Sequence, residues 1–368
     1  MPPNPETALE IDLQALAHNY SLIRSRLKED TRLLGVVKAF AYGNGAVAIS
    51  RKLEQLGADY LAVAFSREGV QLREAGIRLP ILVLHPQPDG LDEVIEHCLE
   101  PSLYSRRIFL LFLEALQRHT QEKYPIHLKF NTGLNRLGFQ EADLDWIGSQ
   151  VKASPSMEVR SLFSHLAASD DLEERGYTQG QIRAFEAIIR KSESVLEGRH
   201  LKHLLNTSGV FNYPEAQLDM VRTGIGLYGY SNDPRTDGLL RPVARLRSRI
   251  SQIHEIPPGQ WVGYNKGYEA HSPTRTATLP IGHADGIGRH FGKGRGVVFI
   301  NDNPAPIIGN VCMDMTMVDV SGVACQEGDE VIFFGHNHSA ETLANRAGTI
   351  SYELLTGISR RVPRIIVE

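Results

Sequence analysis

Through the first two thirds of the chain, short apolar runs alternate with longer segments whose apolar residues recur at helical spacing. The short runs cover residues 33–40 (LLGVVKAF), 60–65 (YLAVAF), 81–85 (ILVLH), 100–104, 125–131 (PIHLKFN), 159–165 (VRSLFSH), 203–206 and 220–226. Several are apolar almost throughout, which predicts parallel strands buried on both faces. Stretches such as 46–56 and 183–196 lie between them, and in the second Phe185, Ile188, Ile189 and Leu196 fall on one helical stripe. Eight βα units in about 230 residues is the count and length of a closed (β/α)8 TIM barrel. An open, doubly wound sheet is the rival reading, because strand number does not establish closure.

From Tyr230 the texture changes. SNDPRTDG is dense in turn residues and reads as a domain edge. Beyond it, runs at 243–256, 276–281, 296–300, 305–311, 315–320 and 330–334 are separated by Gly, Pro, Asp and Asn turns, with one short helical piece near 341–346. Strands without intervening helices predict an antiparallel or mixed β domain. The expected division is a barrel over residues 1–236 and a mostly-β domain over 237–368, with roughly the first 10 residues able to pair with the latter.

Composition narrows the function. A length of 368 residues fits two domains, and 39 Lys and Arg against 43 Asp and Glu give a net charge of −4. No basic excess is available to hold nucleic acid or an anionic membrane. No run approaches the roughly 18–20 apolar residues of a membrane span, and MPPNPETALEIDLQAL lacks the basic-then-apolar order of a signal peptide. Cys98, Cys312 and Cys325 form no CxxC pair, which points to a reducing compartment. A cytoplasmic protein is expected.

In a TIM barrel the chemistry sits at the C-terminal strand ends. Placed there by the pattern are Lys38, Lys129 with Asn131 and Arg136 after it, His165, then Asn206, Thr207 and Ser208, and finally Arg222, Gly224 and Gly226. A lysine in an apolar strand is costly to bury as an ammonium. It is either a chain snorkelling past the strand end or a lysine that condenses with a carbonyl, its pKa lowered by neighbouring cations such as Arg136 and Arg222. Gly43 and Gly45 would allow a ligand to approach the backbone. Residues 224–229 spell GxGxxG, but the motif closes the βα series and no acid follows in 243–254, so a dinucleotide site is rejected. A phosphate cradle after the seventh and eighth strands is the better reading. Lysine, cradle and arginine together suggest a phosphate-bearing ligand such as pyridoxal 5′-phosphate.

Ten blocks in order carry a family resemblance: VVKAFAYGNG, LKFNTGLNRLGF, FSHLA, LNTSG, DMVRTGIGLYG, VGYNKGY, LPIGHADG, GNVCMDM, ISYE and SRRVPRI. The chain resembles the bacterial, pyridoxal-phosphate-dependent alanine racemases of fold type III over essentially its whole length. The resemblance implies that Lys38 carries the cofactor covalently and is the base on one face of Cα, with Tyr264 on the other. It implies a homodimer in which Tyr264 and the Cys312–Met313–Asp314 segment reach the partner's site, Met313 lying near the substrate carboxylate. Arg222 would face the pyridine nitrogen, with His165 behind it. Tyr42, Tyr352, Asn206, Thr207, Gly224 and Ile225 would hold the cofactor and its phosphate. Arg136 would reach the cofactor hydroxyl and the substrate carboxylate, and Lys129 would be carbamylated to hold Arg136. The substrate would be a small amino acid, the product D-alanine for peptidoglycan, and no metal is called for.

Four positions depart from the family's usual residues: Phe40 for Asn, Asn44 for His, Asn131 for Asp and His283 for Tyr. They leave open a racemase of broader specificity, for serine or larger amino acids. A non-catalytic barrel carrying the same cofactor would lack the β domain, and a fold-type III decarboxylase would place an acid rather than Arg222 at the ring nitrogen. Elsewhere, His336 and His338 read as a surface turn rather than metal ligands. Asp170 and Asp171 read as a helix cap. Asp285 and Asp314 either orient other side chains or satisfy turn amides.

Overall fold

The computed structural model describes residues 5–231 and 233–367; residues 1–4 of the expected leaderless start, Asn232 of the turn-rich edge and Glu368 lie outside it. The chain forms two compact units. One comprises Ala17–Ala41 and Ala46–Leu240; the other comprises the described parts of Met1–Leu16, Tyr42–Gly45 and Arg241–Glu368. The first strand, β1 (Ala8–Asp12), belongs to the second unit.

The first unit is a closed parallel barrel of β2 (Arg32–Val36), β3 (Tyr60–Val63), β4 (Ile81–Val83), β5 (Glu100–Leu103), β6 (Tyr124–Lys129), β7 (Met157–Phe163), β8 (Leu201–His203) and β9 (Met220–Thr223). Closure is direct: β2 pairs with β3 on one side, Leu34 opposite Tyr60, and with β9 on the other, Leu33 opposite Val221. This excludes the open sheet. All eight strands fall within or beside the predicted runs, but they stop earlier. β2 ends at Val36, so Lys38 stands beyond the strand rather than inside it. The reason is conformational: Ala39, Phe40, Ala41 and Tyr42 all have φ between 52° and 57°, a left-handed turn that no strand can contain.

The surrounding helices seal the barrel with apolar stripes. Arg106–Arg118 starts at Ser105, whose Oγ accepts the Ile108 N–H, and buries Ile108, Phe109, Phe112, Ala115 and Leu116. Arg175–Val195 begins earlier than the pattern predicted and buries Phe185 and Ile188, while Ile189 is half-buried. Asp170 and Asp171 do not cap it. Glu174 occupies the N-cap position without a side-chain capping bond, and Asp171 Oδ1 instead accepts the Glu173 N–H in the preceding turn.

The second unit is built on a mixed nine-stranded sheet. It contains β1, β10 (Ala244–Arg249), β11 (Gln252–Ile256), β14 (Thr274–Leu279), β15 (Val297–Ile300), β16 (Asn303–Ile308), β17 (Thr316–Asp319), β18 (Glu330–Phe334) and β19 (Arg364–Val367). The small antiparallel pair β12 (Trp261–Val262) and β13 (Tyr268–Glu269) stands apart from it. Leu9 of β1 pairs with Leu246 of β10, antiparallel, and with Arg364 of β19, parallel. The single run predicted at 243–256 is two strands, broken at Ile250 and Ser251. A second helix, Ser351–Gly357, follows Ala340–Arg346. Within the turn-rich edge, Pro234–Asp237 is one helical turn capped by Asp233.

Candidate active site

The backbone after β2 is held under strain. Four consecutive non-glycine residues in the left-handed region cost about 1–2 kcal/mol each, and such strain persists only where surrounding bonds enforce it. Glu68 supplies one of those bonds, its Oε1 accepting the Ala39 N–H at 2.6 Å, while its Oε2 is anchored by the Ala64 N–H at 2.7 Å. The Ala41 N–H closes back on the Val37 carbonyl at 2.9 Å. Lys38 therefore leaves the end of β2 from a fixed position, half-buried.

Lys129, Arg136, His165 and Arg222 share the same end of the barrel with Lys38. Lys129 closes β6, and its ammonium is pushed down to about 8, by burial first and then by Arg136, Arg222 and Lys38. Burial and Arg136 also pull Lys38 downward, with only Glu68 acting the other way. The His165 imidazole is held well below its usual range by burial, Arg222, Arg136, Lys129 and Lys38, which keeps it neutral. A site with this much positive charge is suited to an anion.

Arg222 lies in β9, and both of its terminal guanidinium nitrogens are held by neighbours. NH1 donates to His203 Nδ1 at 2.7 Å; NH2 donates to the Ser164 carbonyl at 2.6 Å and the Leu204 carbonyl at 3.0 Å, with His165 Nδ1 at 3.2 Å. Its guanidinium carbon lies 5.2 Å from the centroid of the Phe163 ring, the Lys129 ammonium 5.9 Å from the same ring, and His203 stacks on Phe163 at 4.8 Å. Burial pulls Arg222 down to about 9, so it remains a cation at neutral pH.

The loops after β8 and β9 meet at Thr207. Its Oγ1 accepts the N–H groups of Gly224 (3.3 Å) and Gly226 (3.2 Å), which leaves the hydroxyl proton for an external acceptor. Gly226 is required by space, because a Cβ there would stand 2.5 Å from Thr207 Cγ2. Ile225 opens a short helical turn between them. Asn206 is anchored through Oδ1, which caps the following turn at the Gly209 N–H (2.9 Å) and accepts the Ser169 hydroxyl (2.8 Å).

In the second unit the Tyr42 and Tyr352 rings lie 5.9 Å apart, and burial together with Tyr352 raises the Tyr42 phenol. Gly43 lets the backbone pack closely within this unit: a Cβ at that position would meet the Leu355 carbonyl oxygen. Tyr264 projects from the β12–β13 turn with 71% of its surface exposed, and Asn310 Nδ2 donates to its carbonyl at 2.9 Å. Met313, Met315 and Ile350 are also exposed large apolar residues of this unit. The 312–314 segment is pinned from behind, since the His283 and Ala284 N–H groups donate to the Cys312 and Met313 carbonyls. Asp285 and Asp314 share Arg361, at 2.6 Å and 2.7 Å, so both orient another side chain, and Asp285 Oδ2 also accepts the Gly282 turn N–H at 2.8 Å.

The departures from the family pattern have local accounts. Asn131 Oδ1 accepts the N–H groups of Gly133 and Asn135 and shapes the loop that leads to Arg136. Asn44 is buried and donates to the Tyr42 carbonyl, Phe40 lies in the left-handed turn, and His283 is exposed. His336 is exposed and His338 stacks on Phe299. Pattern reading missed Glu100, His127, Ser161 and His203, polar residues in otherwise apolar barrel strands; that mismatch was the available signal.

Fold and geometry together describe a closed barrel and a separate β unit, with lysine and arginine side chains gathered at one end of the barrel. The profile of the alanine racemase N-terminal domain matches residues 11–232 and that of the C-terminal domain residues 243–366. An alanine racemase of Sorangium cellulosum is 36% identical over 377 residues, covering 98% of this chain and 99% of that protein. Alanine racemase 1 of Clostridium acetobutylicum is 34% identical, with 98% and 95% covered. The solved alanine racemase of Clostridium difficile 630 superposes with a TM-score of 0.92 at 34% identity, covering 99% of this chain and 96% of that one. The chain belongs to the alanine racemase family, and it is an isomerase that racemises alanine.

Proposed function

We propose that the chain interconverts L- and D-alanine by a two-base mechanism with pyridoxal 5′-phosphate held by Lys38, in a homodimer whose Tyr264 serves the partner's site. The observation that carries this reading is the gathering of Lys38, Lys129, Arg136 and Arg222 at one barrel mouth beside the Thr207–Gly226 cradle. The residues suit the cofactor: Thr207 keeps a hydroxyl proton for a phosphate oxygen, Gly224 and Ile225 line the same cradle, and Tyr42 and Tyr352 offer phenols. When bound, pyridoxal phosphate withdraws electrons from the amino acid's Cα and acidifies its C–H bond.

The protein's own groups then divide the work. The Lys38 amine, lowered by burial and Arg136, presents a lone pair and takes or returns the proton on one face of Cα. Tyr264 does the same on the other face, which is why racemisation needs two groups of opposite placement. Arg222 donates to the ring nitrogen and does not readily give up its proton, so that nitrogen stays unprotonated and electron withdrawal is moderated, which disfavours side reactions. Arg136 and the backbone of Met313 of the partner subunit receive the substrate carboxylate, and a carbamylated Lys129 fixes Arg136. Tyr264, Met313, Met315 and Ile350 are exposed apolar side chains of the second unit that a second copy would cover.

The enzyme's proposed role is cytoplasmic supply of D-alanine for peptidoglycan; among the described residues no helix is long and apolar enough to cross a membrane. A second reading, broader amino-acid specificity, is favoured by His283 and Asn131. The cofactor-loaded protein incubated with a panel of L-amino acids, followed by chiral analysis, separates the two. D-alanine alone supports strict alanine use, and D-serine at a comparable rate supports the second reading. Lys38→Ala must abolish turnover and the cofactor's bound visible absorbance together.

A further inference from the structure

Five polar side chains, one from each of five consecutive barrel strands, form a continuous buried chain. Arg222 in β9 meets His203 in β8 at 2.7 Å, and His203 Nε2 meets Ser161 Oγ in β7 at 2.8 Å. Ser161 Oγ meets His127 Nδ1 in β6 at 2.6 Å, and His127 Nε2 meets Glu100 Oε2 in β5 at 2.7 Å. His127, Ser161 and His203 are all completely buried. A register shift between Ile126 and His127 brings His127 opposite Ser161.

Hydrogen-bonding capacity fixes the direction of every link. A guanidinium only donates, so His203 Nδ1 must be the bare nitrogen and its proton must sit on Nε2. That proton goes to Ser161, whose single hydroxyl proton is then available to His127 Nδ1. His127 in turn carries its proton on Nε2 and donates it to the Glu100 carboxylate. The chain is thus polarised one way, from cation to carboxylate, with no free choice of tautomer along it. If His203 took the other tautomer, an N–H would face the Arg222 N–H and push the guanidinium from its place.

We propose that Glu100, His127, Ser161 and His203 act as one positioning chain that locks His203 Nδ1 as an acceptor and so fixes how Arg222 presents itself to the site. Its catalytic consequence rests on the reading that Arg222 faces the cofactor's ring nitrogen; the tautomer lock itself does not. Breaking the chain at Ser161, two side chains away from Arg222, therefore releases the guanidinium without touching any group that contacts the ligand.

The test is nitrogen-15 NMR of the full-length protein labelled at histidine, with turnover of the cofactor-loaded protein measured in parallel. The wild type shows both His203 and His127 as neutral Nε2–H tautomers. Ser161→Ala gives His203 a mixture of tautomers and lowers kcat about tenfold or more with little change in KM, a loss typical of removing a group that orients a site residue. His127→Gln, whose carbonyl can accept from Ser161 and whose amide can donate to Glu100, restores the lock and most of kcat, whereas His127→Leu does not. An Nδ1–H or doubly protonated His203 in the wild type overturns the proposal. So does a Ser161→Ala protein with the lock intact, or with the lock lost and kcat unchanged. If the protein takes up no pyridoxal phosphate, the proposed function fails while the tautomer measurement still decides the chain.

Discussion

At pH 7 an ordinary lysine is neutral in about one molecule in 3,000, whereas Lys129, with its ammonium pushed down to about 8, is neutral in about one in ten. Carbon dioxide adds only to the neutral amine, so the structure gives Lys129 a roughly 300-fold larger reactive fraction than a surface lysine. The product is an anion set among Arg136, Arg222 and Lys38, where the ammonium had been one more cation. Protein equilibrated with carbon-13 bicarbonate at pH 8 should show a carbamate carbon signal that disappears in Lys129→Met. The α-amino group also titrates near pH 8 and can add carbon dioxide, so its signal should remain in the variant. In carbon-dioxide-free buffer the same shift has a stability consequence. The folded-state value lies below the unfolded one, so the unfolded chain holds more protons between about pH 8 and 10.5 and stability rises through that window, by on the order of 3 kcal/mol. Absence of a carbamate in the wild type, or an identical spectrum in Lys129→Met, refutes the reasoning.

Other perturbations test separate parts of the account. Gly226→Ala drives a methyl into Thr207 and should weaken pyridoxal phosphate retention at least tenfold, read by dialysis and absorbance, while the fold is kept. Asp285→Asn loosens the Arg361 clamp on the 312–314 segment and should raise the KM for alanine several-fold with cofactor binding unchanged. Phe112→Ala, buried between barrel and helix layer, should cost about 3–5 kcal/mol in urea unfolding without altering the site's spectrum.

The barrel was legible because buried parallel strands write themselves as apolar runs, as β3 (YLAV) and β4 (ILV) do, while β5 (EPSL) and β8 (LKH) were placed by their spacing in the series. Their ends were not. Lys38 looks like a strand residue in VVKAF because nothing in Ala39–Tyr42 announces a left-handed turn; a bond that holds it comes from Glu68, 29 residues beyond Ala39. Ser351–Gly357 was missed because it starts after Ile350 with no capping side chain, whereas the equally short Ala340–Arg346 is announced by Ser339, whose hydroxyl accepts the Glu341 N–H. The cationic mouth could be assembled from strand-end positions alone, but the Glu100–Arg222 chain could not. Each of its members sits in a different strand, and only the barrel's register makes them neighbours.

The central claim, that Lys38 of one subunit works with Tyr264 of the other, is tested most directly by mixing two inactive proteins. Lys38→Ala and Tyr264→Phe chains are unfolded, combined in equal amounts and refolded. In a mixed dimer with the tyrosine supplied across the interface, one site regains both groups, so random pairing should restore about a quarter of wild-type racemisation. If both groups act within one chain, every site in the mixture lacks one of them, and activity no higher than that of the separate variants would contradict the account.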